Sequence, residues 1–192
     1  MKNMDEFGEA LEEHDIDYDE KRSFEQDWNN NDLFTENASG VYEYFESDLG
    51  KNASGVLGLS DNPTRNAYAQ RIAGGEFRRD DDDGGHLIGA RFNGSNGLEN
   101  IDAQNSNLNR GAYKSLENEW ADALNEGTDV FVNIDTYKQE NSDRPDAFMG
   151  YAISELDDGE RSFDVFSFQN ESQETQEEWE KEIEDLELDD LI

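Results

Sequence analysis

Asp83-Gly84-Gly85-His86 is followed by Asn109 and then by Glu117, 23 and 31 residues beyond the histidine. An imidazole, a neutral amide and a carboxylate therefore share one compact stretch. His86 is one of only two histidines in 192 residues. With an unperturbed pKa of about 6.5, histidine can take a proton from water near neutral pH. An amide oxygen can anchor a hard divalent cation such as Mg²⁺, which keeps most of its own water. A carboxylate can then hold one of those waters from outside the coordination shell. Hydrolysis of a phosphodiester needs these parts: activated water, a cation on the anionic centre and help for the leaving oxygen. In that scheme His86 is the base, Asn109 the metal ligand and Glu117 the water holder. Singly, each residue also has an ordinary reading. A lone histidine is commonly structural, Asn109 reads as a helix cap, and Glu117 as a solvated helix residue.

The scheme needs a helix and a strand that converge. Tyr113, Leu116, Trp120 and Leu124 recur at spacings of 3, 4 and 4. That spacing predicts a helix over 109–125 with one apolar stripe, stopped by Gly127. Asn109 and Glu117 lie eight residues apart and would share a face. His86 to Phe92 reads as a short buried strand, which must pack alongside. Further strands are expected at 41–46, 55–59, 129–134, 148–156 and 163–168, the last two as a hairpin. Residues 66–72 read as a weak helix or loop, broken by Gly74-Gly75.

Charge sets limits on partners. The chain is formally -34, with 33% apolar residues, 11% aromatics and a mean hydropathy of -1.03. So many aromatics argue for a folded core. There is no cysteine, which removes disulfides and thiolate zinc sites. No run approaches 18 apolar residues, and no apolar segment marks a signal peptide near Met1, so a soluble chain without a membrane span is expected. The charge is concentrated at the ends. Residues 1–50 hold 16 acids and 3 bases, and residues 171–192 hold 11 acids and one base. Residues 57–120 hold 10 acids against 7 bases. Repulsion of a polyanion is therefore weakest around the candidate site. The acidic excess suits very high salt, where screening shortens to about 3 Å at 1 M. It also fits acidic tails that mimic nucleic acid. The expected organisation is an acidic, partly disordered extension over 1–40, a catalytic domain over 41–170 and an acidic helix over 171–192.

Three ordered segments carry a family resemblance. They are Asp83-Gly84-Gly85-His86-Leu87-Ile88, Glu99-Asn100-Ile101-Asp102-Ala103-Gln104, and Leu108-Asn109-Arg110-Gly111-Ala112-Tyr113-Lys114-Ser115-Leu116-Glu117. Together they resemble the DNA/RNA non-specific endonucleases, which are ββα-metal nucleases. The family's motifs run Asp-Arg-Gly-His, Asn-Ile-x-x-Gln and Leu-Asn-x-Gly-x-aromatic-x-x-Leu-Glu. The form Asp-Asp-Gly-Gly-His-Leu-Ile is similar to the nuclease domain of bacterial polymorphic toxins, including those exported by type VII secretion. Gln70-Arg71-Ile72-Ala73-Gly74-Gly75, Trp120 to Gly127 and Arg144-Pro145 extend that likeness, which covers about residues 41–170.

The resemblance implies an α+β fold, mainly antiparallel, with a His-Me finger and one metal-bearing helix. It implies a Mg²⁺-dependent endonuclease, with Mn²⁺ or another divalent ion as a substitute. DNA or RNA would be the substrate, and an immunity protein the partner of a toxin exported by a non-Sec route. His86, Glu117 and Asn100 match catalytic positions, and Asn109 matches the metal ligand. Asp83, Gly84, Gly85 and Gln104 match the structural motif. Gly84 stands where the broader family has its motif arginine. Arg71, Arg79 and Arg110 are the candidates to replace that cation. The alternative is a nuclease-like binding protein whose acidic extensions mimic nucleic acid or block its own cleft.

Overall fold

The computed structural model describes residues 18–156 and 158–172. Its elements are α1 (Tyr18–Asn29), α2 (Leu33–Glu36), β1 (Glu43–Ser47), β2 (Gly50–Val56), α3 (Ala67–Ile72), β3 (Asp82–His86), β4 (Ile101–Asn105), α4 (Ser106–Arg110), α5 (Ala112–Asn125), β5 (Asp129–Tyr137), β6 (Ala147–Glu155) and β7 (Arg161–Gln169). Alternation in β5 explains the layering. Val130, Val132 and Ile134 point to one face and Phe131 to the other, and all four are buried. Both faces of this strand must therefore be covered. It sits at the centre of a five-stranded antiparallel sheet of order β1-β2-β5-β6-β7.

On one face lies α5. Its stripe brings Tyr113, Trp120 and Ala121 against Val132, Phe148 and Phe166. The Trp120 ring meets Phe166 edge-on at 5.8 Å, and Tyr113 meets Phe148 at 5.9 Å. The same face carries the separate hairpin of β3 and β4, which runs into α4 and α5. This is the ββα arrangement expected from the sequence. On the other face α1 places Phe24 against Tyr151 and Phe163 at 5.3 and 5.2 Å.

Two buried ion pairs fix the hairpin to the large sheet. Asp82, at the start of β3, accepts 2.8 and 3.0 Å bonds from the Arg144 guanidinium before β6. Lys51 of β2 reaches Asp102 of β4 at 2.7 Å and also donates to the carbonyls of Leu98 and Ile101. Asn170, just past β7, donates to Ala103 and Pro145 carbonyls and accepts from the Asn105 N–H.

Three expectations need correction. Only His86 of the expected 86–92 strand is in a strand, at the end of β3, and the chain then turns. Asn100 explains the turn, because its side chain takes both backbone bonds of Ile88 that a neighbouring strand would take. The helix expected over 109–125 is two helices, parted at Gly111. A Cβ there would meet the Asn107 carbonyl oxygen at 2.5 Å, so the break needs glycine. Residues 18–36 of the extension expected to be loose form two helices, with Phe24 and Leu33 buried on the sheet. The helix expected from residue 171 and the apolar face of Met4, Phe7 and Leu11 lie outside the described residues. Among the described residues no helix is long and apolar enough to cross a membrane.

Removing one partner of a buried pair strands the other's charge. Arg144→Ala is expected to lower the unfolding free energy by about 3–5 kcal/mol, read from the urea midpoint. Asp82→Asn with Arg144→Met should cost less, because no charge remains and the amide still accepts from the Arg79 N–H.

Candidate active site

Two glycines let β3 approach its neighbours. A Cβ on Gly84 would meet the Gln70 carbonyl oxygen at 2.2 Å, so the backbone of α3 lies directly against this strand. A Cβ on Gly85 would meet Gln104 Oε1 at 2.0 Å. Gln104 is fully buried, and its amide has no hydrogen-bond partner among the described residues. The strand therefore delivers His86 to the wall of a pocket of about 720 Å³. His86 Nε2 is buried without a partner. Burial holds the imidazole pKa below its ordinary value, and the Arg65 charge adds to this, while the Asn96 amide opposes both. The Tyr113 hydroxyl donates to the Leu87 carbonyl at 2.6 Å, which fixes the residue after the histidine.

Asn109 comes from α4 and Glu117 from α5, and both line the same pocket as His86. Asp83 orients the asparagine. Its Oδ2 accepts from Asn109 Nδ2 at 3.0 Å, which leaves Asn109 Oδ1 open. Arg110 binds the same carboxylate in a fork, at 2.8 and 2.7 Å. That fork holds the Asp83 carboxyl below the usual carboxylate range, against the effect of burial. Glu117 lies over Gly89, where a Cβ would meet its Oε1 at 2.1 Å. Its Oε2 accepts from Lys114 at 3.1 Å.

The rest of the wall is cationic. Arg65, Arg71, Arg78, Arg91, Arg110 and Lys114 line the pocket, against two carboxylates, Asp83 and Glu117. In a chain of -34 this is a local reversal of sign. Of the three arginines expected to serve phosphate, Arg71 and Arg110 line the pocket and Arg79 does not. Arg79 is instead paired with Glu171. Asn100 is also placed away from the pocket. It is fully buried, and it binds the Ile88 N–H, the Ile88 carbonyl and the Ser95 carbonyl. These bonds hold the turn that follows His86.

Sequence reasoning missed Arg65 and Asn96. Asn66 caps α3 through bonds to the N–H groups of Tyr68 and Ala69, so a polar residue before a helical stretch was the available signal. Nothing in the spacing of Asn96 marks it.

Among the described residues no three His, Cys, Asp or Glu side chains converge as a metal-binding group. The donors present are one open amide oxygen and nearby carboxylates. Such a set does not fit a cation that needs a full protein cage. It does fit a hard divalent ion that keeps several waters.

A model of the DNA/RNA non-specific endonucleases matches residues 35–154. Three curated relatives are similar to this chain. They are the type VII secretion system protein EssD of Staphylococcus aureus strains USA300 and NCTC 8325 / PS 47, and the type VII secretion systems protein EssD of strain Newman. Each is 43% identical over 98 residues, which cover 48% of this chain and 16% of the relative. The chain thus spans less than a fifth of the length of these relatives.

Truncating Asn100 would leave buried backbone groups unpaired, at about 1–3 kcal/mol each. With three such groups, Asn100→Ala is therefore expected to destabilise the fold by at least about 3 kcal/mol in urea denaturation. An unchanged midpoint would remove its structural role.

Proposed function

Since the chain belongs to the DNA/RNA non-specific endonuclease family and is a phosphodiester-cleaving nuclease by that membership, we propose that it works with Mg²⁺ on DNA and/or RNA through His86, Asn109 and Glu117. One observation carries this reading. His86, Glu117 and the open Asn109 amide line a single pocket that is otherwise mainly cationic.

His86 is the general base. A lowered pKa keeps its imidazole neutral, and so able to accept a proton, at and somewhat below neutral pH. Asn109 holds the ion through its Oδ1, and Asp83 keeps that amide from turning over. Glu117 orients water within the pocket, and Lys114 holds the carboxylate in place. Bound divalent metal supplies charge neutralisation at the phosphate and at the leaving oxygen. The basic wall receives the neighbouring phosphates. Residues 41–170 are the catalytic domain in this reading, with α1 and α2 packed on it as a buttress.

The biological role we infer is that of a toxin effector. The relatives' names refer to type VII secretion, and such an effector would leave the cell by a non-Sec route. It would also need an immunity protein in the producing cell. The acidic exterior is an adaptation to high salt. A second reading has one observation in its favour. Arg79, next to the pocket-lining Arg78, is held by Glu171 at the start of the acidic segment 171–192. In that reading the acidic segment blocks the cleft and the chain is a weak nuclease that binds more than it cuts.

Plasmid degradation with Mg²⁺ separates the two. The native chain is expected to cut, and His86→Ala to lose about 10²–10⁴-fold in rate. Intact plasmid across low and molar salt would sink the enzyme reading. The pH profile has a defined sign. A depressed histidine pKa keeps the base active to lower pH, so the acid limb of kcat/KM should fall below 6.5. A limb above 6.5 would contradict His86 as the base in this environment. Salt dependence should be shallow. Only Arg65 and Arg71 among the pocket cations lack a hydrogen-bonding partner among the described residues, so about two phosphate contacts are expected. At roughly -0.9 per contact, the log-log slope of binding should be no steeper than about -2.

A further inference from the structure

The pocket leaves open which cation meets the scissile phosphate. The motif position cannot supply it. At Gly84 a Cβ would lie 2.2, 2.3 and 2.6 Å from the carbonyl oxygen, Cα and carbonyl carbon of Gln70. No side chain fits there while α3 keeps its place. The cation must come from another element.

Most of the basic side chains in the wall are already committed. Arg78 donates to the carbonyls of Gln70, Ala73 and Asp82. Arg110 is forked onto Asp83, and Lys114 is bound to Glu117. Arg91 donates to Asn118 at 2.6 Å and lies over the Phe92 ring. Arg71 lies over the Tyr68 ring at 5.5 Å. Arg65 is different. Among the described residues its side chain has no hydrogen bond, ion pair or ring contact, and it is exposed in the pocket wall.

Its side chain is uncommitted, but the side chains of both its chain neighbours, Thr64 and Asn66, are bonded to one residue. Asn96 donates from Nδ2 to the Thr64 hydroxyl at 2.8 Å. Its own carbonyl accepts from Asn66 Nδ2 at 3.2 Å. Asn96 therefore brackets Arg65, and it is the same amide that lies beside the His86 ring. The base and the guanidinium thus both neighbour one residue. A free guanidinium between two anchored neighbours is suited to fork onto two phosphate oxygens.

We propose that Arg65 is the cation that stabilises charge on the scissile phosphate, replacing the arginine that Gly84 excludes. The proposal rests on the nuclease reading of this pocket. It names a residue outside the set first expected from the sequence, which was Arg71, Arg79 and Arg110. Two features support it beyond geometry. The Arg65 charge reaches His86, because it contributes to lowering that pKa. It is also the only unstacked, unpaired arginine among the described residues of the pocket wall. Asn96 becomes a positioning residue that acts through Arg65.

Steady-state cleavage of plasmid by the full chain with Mg²⁺ tests the idea. Arg65→Ala is expected to lower kcat by about 10²–10³-fold, with a smaller change in KM. Arg65→Lys should recover part of that loss, and millimolar guanidinium should partly rescue Arg65→Ala. The acid limb of kcat/KM should move up in Arg65→Ala, because the charge that depressed the His86 pKa is gone. Its thermal midpoint should match that of the native chain, since no protein contact is removed. A kcat within threefold of native, a loss confined to KM, or a kcat loss in Arg71→Ala in place of Arg65→Ala would each overturn the proposal. If the native chain and His86→Ala cut equally, or neither cuts, the nuclease reading of the pocket fails first.

Discussion

Asp82 and Arg144 are almost wholly withdrawn from water, with side-chain exposures of 0% and 5%, and they meet through a two-point fork. Taking both charges out of water costs several kcal/mol per ion. What offsets that cost is complete use of their polar atoms. Asp82 also accepts from the Arg79 N–H, and Arg144 also donates to the carbonyls of Asn170 and Pro145. The start of β3, the approach to β6 and the exit from β7 therefore meet at one point. Lys51 and Asp102 repeat the device at the other end of the hairpin. There burial still pushes the Asp102 carboxyl up despite its partner. These contacts also fix register. Sliding β3 by one residue would bring Asp83 to the clamp and turn Asp82 to the pocket. The asparagine that Asp83 orients would then lose its support.

The pocket is shaped as much by missing side chains as by present ones. Gly84 lets α3 lie on the strand, and Gly89 gives the Glu117 carboxylate its seat. Gly111 parts α4 from α5, so Asn109 and Glu117 sit on separate axes. Each functional side chain then has its own local support. Asn109 relies on Asp83, Glu117 on Lys114, and the turn after His86 on Asn100 and Tyr113.

Much of this was readable in the chain. The apolar stripe through Tyr113, Leu116, Trp120 and Leu124 gave the long helix, since period 3.6 survives whatever the helix packs on. Most strands of the large sheet followed from runs of β-forming residues, but the strand expected over 55–59 is in fact Gly50–Val56, because the turn before it is tighter than expected. The four successive aspartates Asp80–Asp83 have separate fates that their sequence does not mark: pleating sends Asp82 inward to Arg144 and Asp83 to the pocket, while Asp81 accepts from Asn105. Leu87 and Ile88 were misread as strand because burial alone does not say which partner takes the backbone bonds. A side chain twelve residues away, Asn100, does so here. The docking of Phe24 was hidden because α1 has a narrow apolar face, and its partners Tyr151 and Phe163 are more than a hundred residues distant. Arg65 went unnoticed for a similar reason. Its importance lies in having no partner among the described residues, and the sequence does not record which of seven bases in that region are already engaged.

The reversal of sign between pocket and exterior has a kinetic meaning. A polyanion approaching from a distance meets the field of the whole molecule, which is strongly negative, before it meets the pocket. Diffusional capture is therefore hindered at low ionic strength. Added salt shortens the range of that repulsion and speeds the encounter. The same salt weakens the few phosphate contacts made afterwards. The two effects oppose each other, so a nuclease of this build would collide with its substrate most often under conditions where strongly basic nucleases begin to let go.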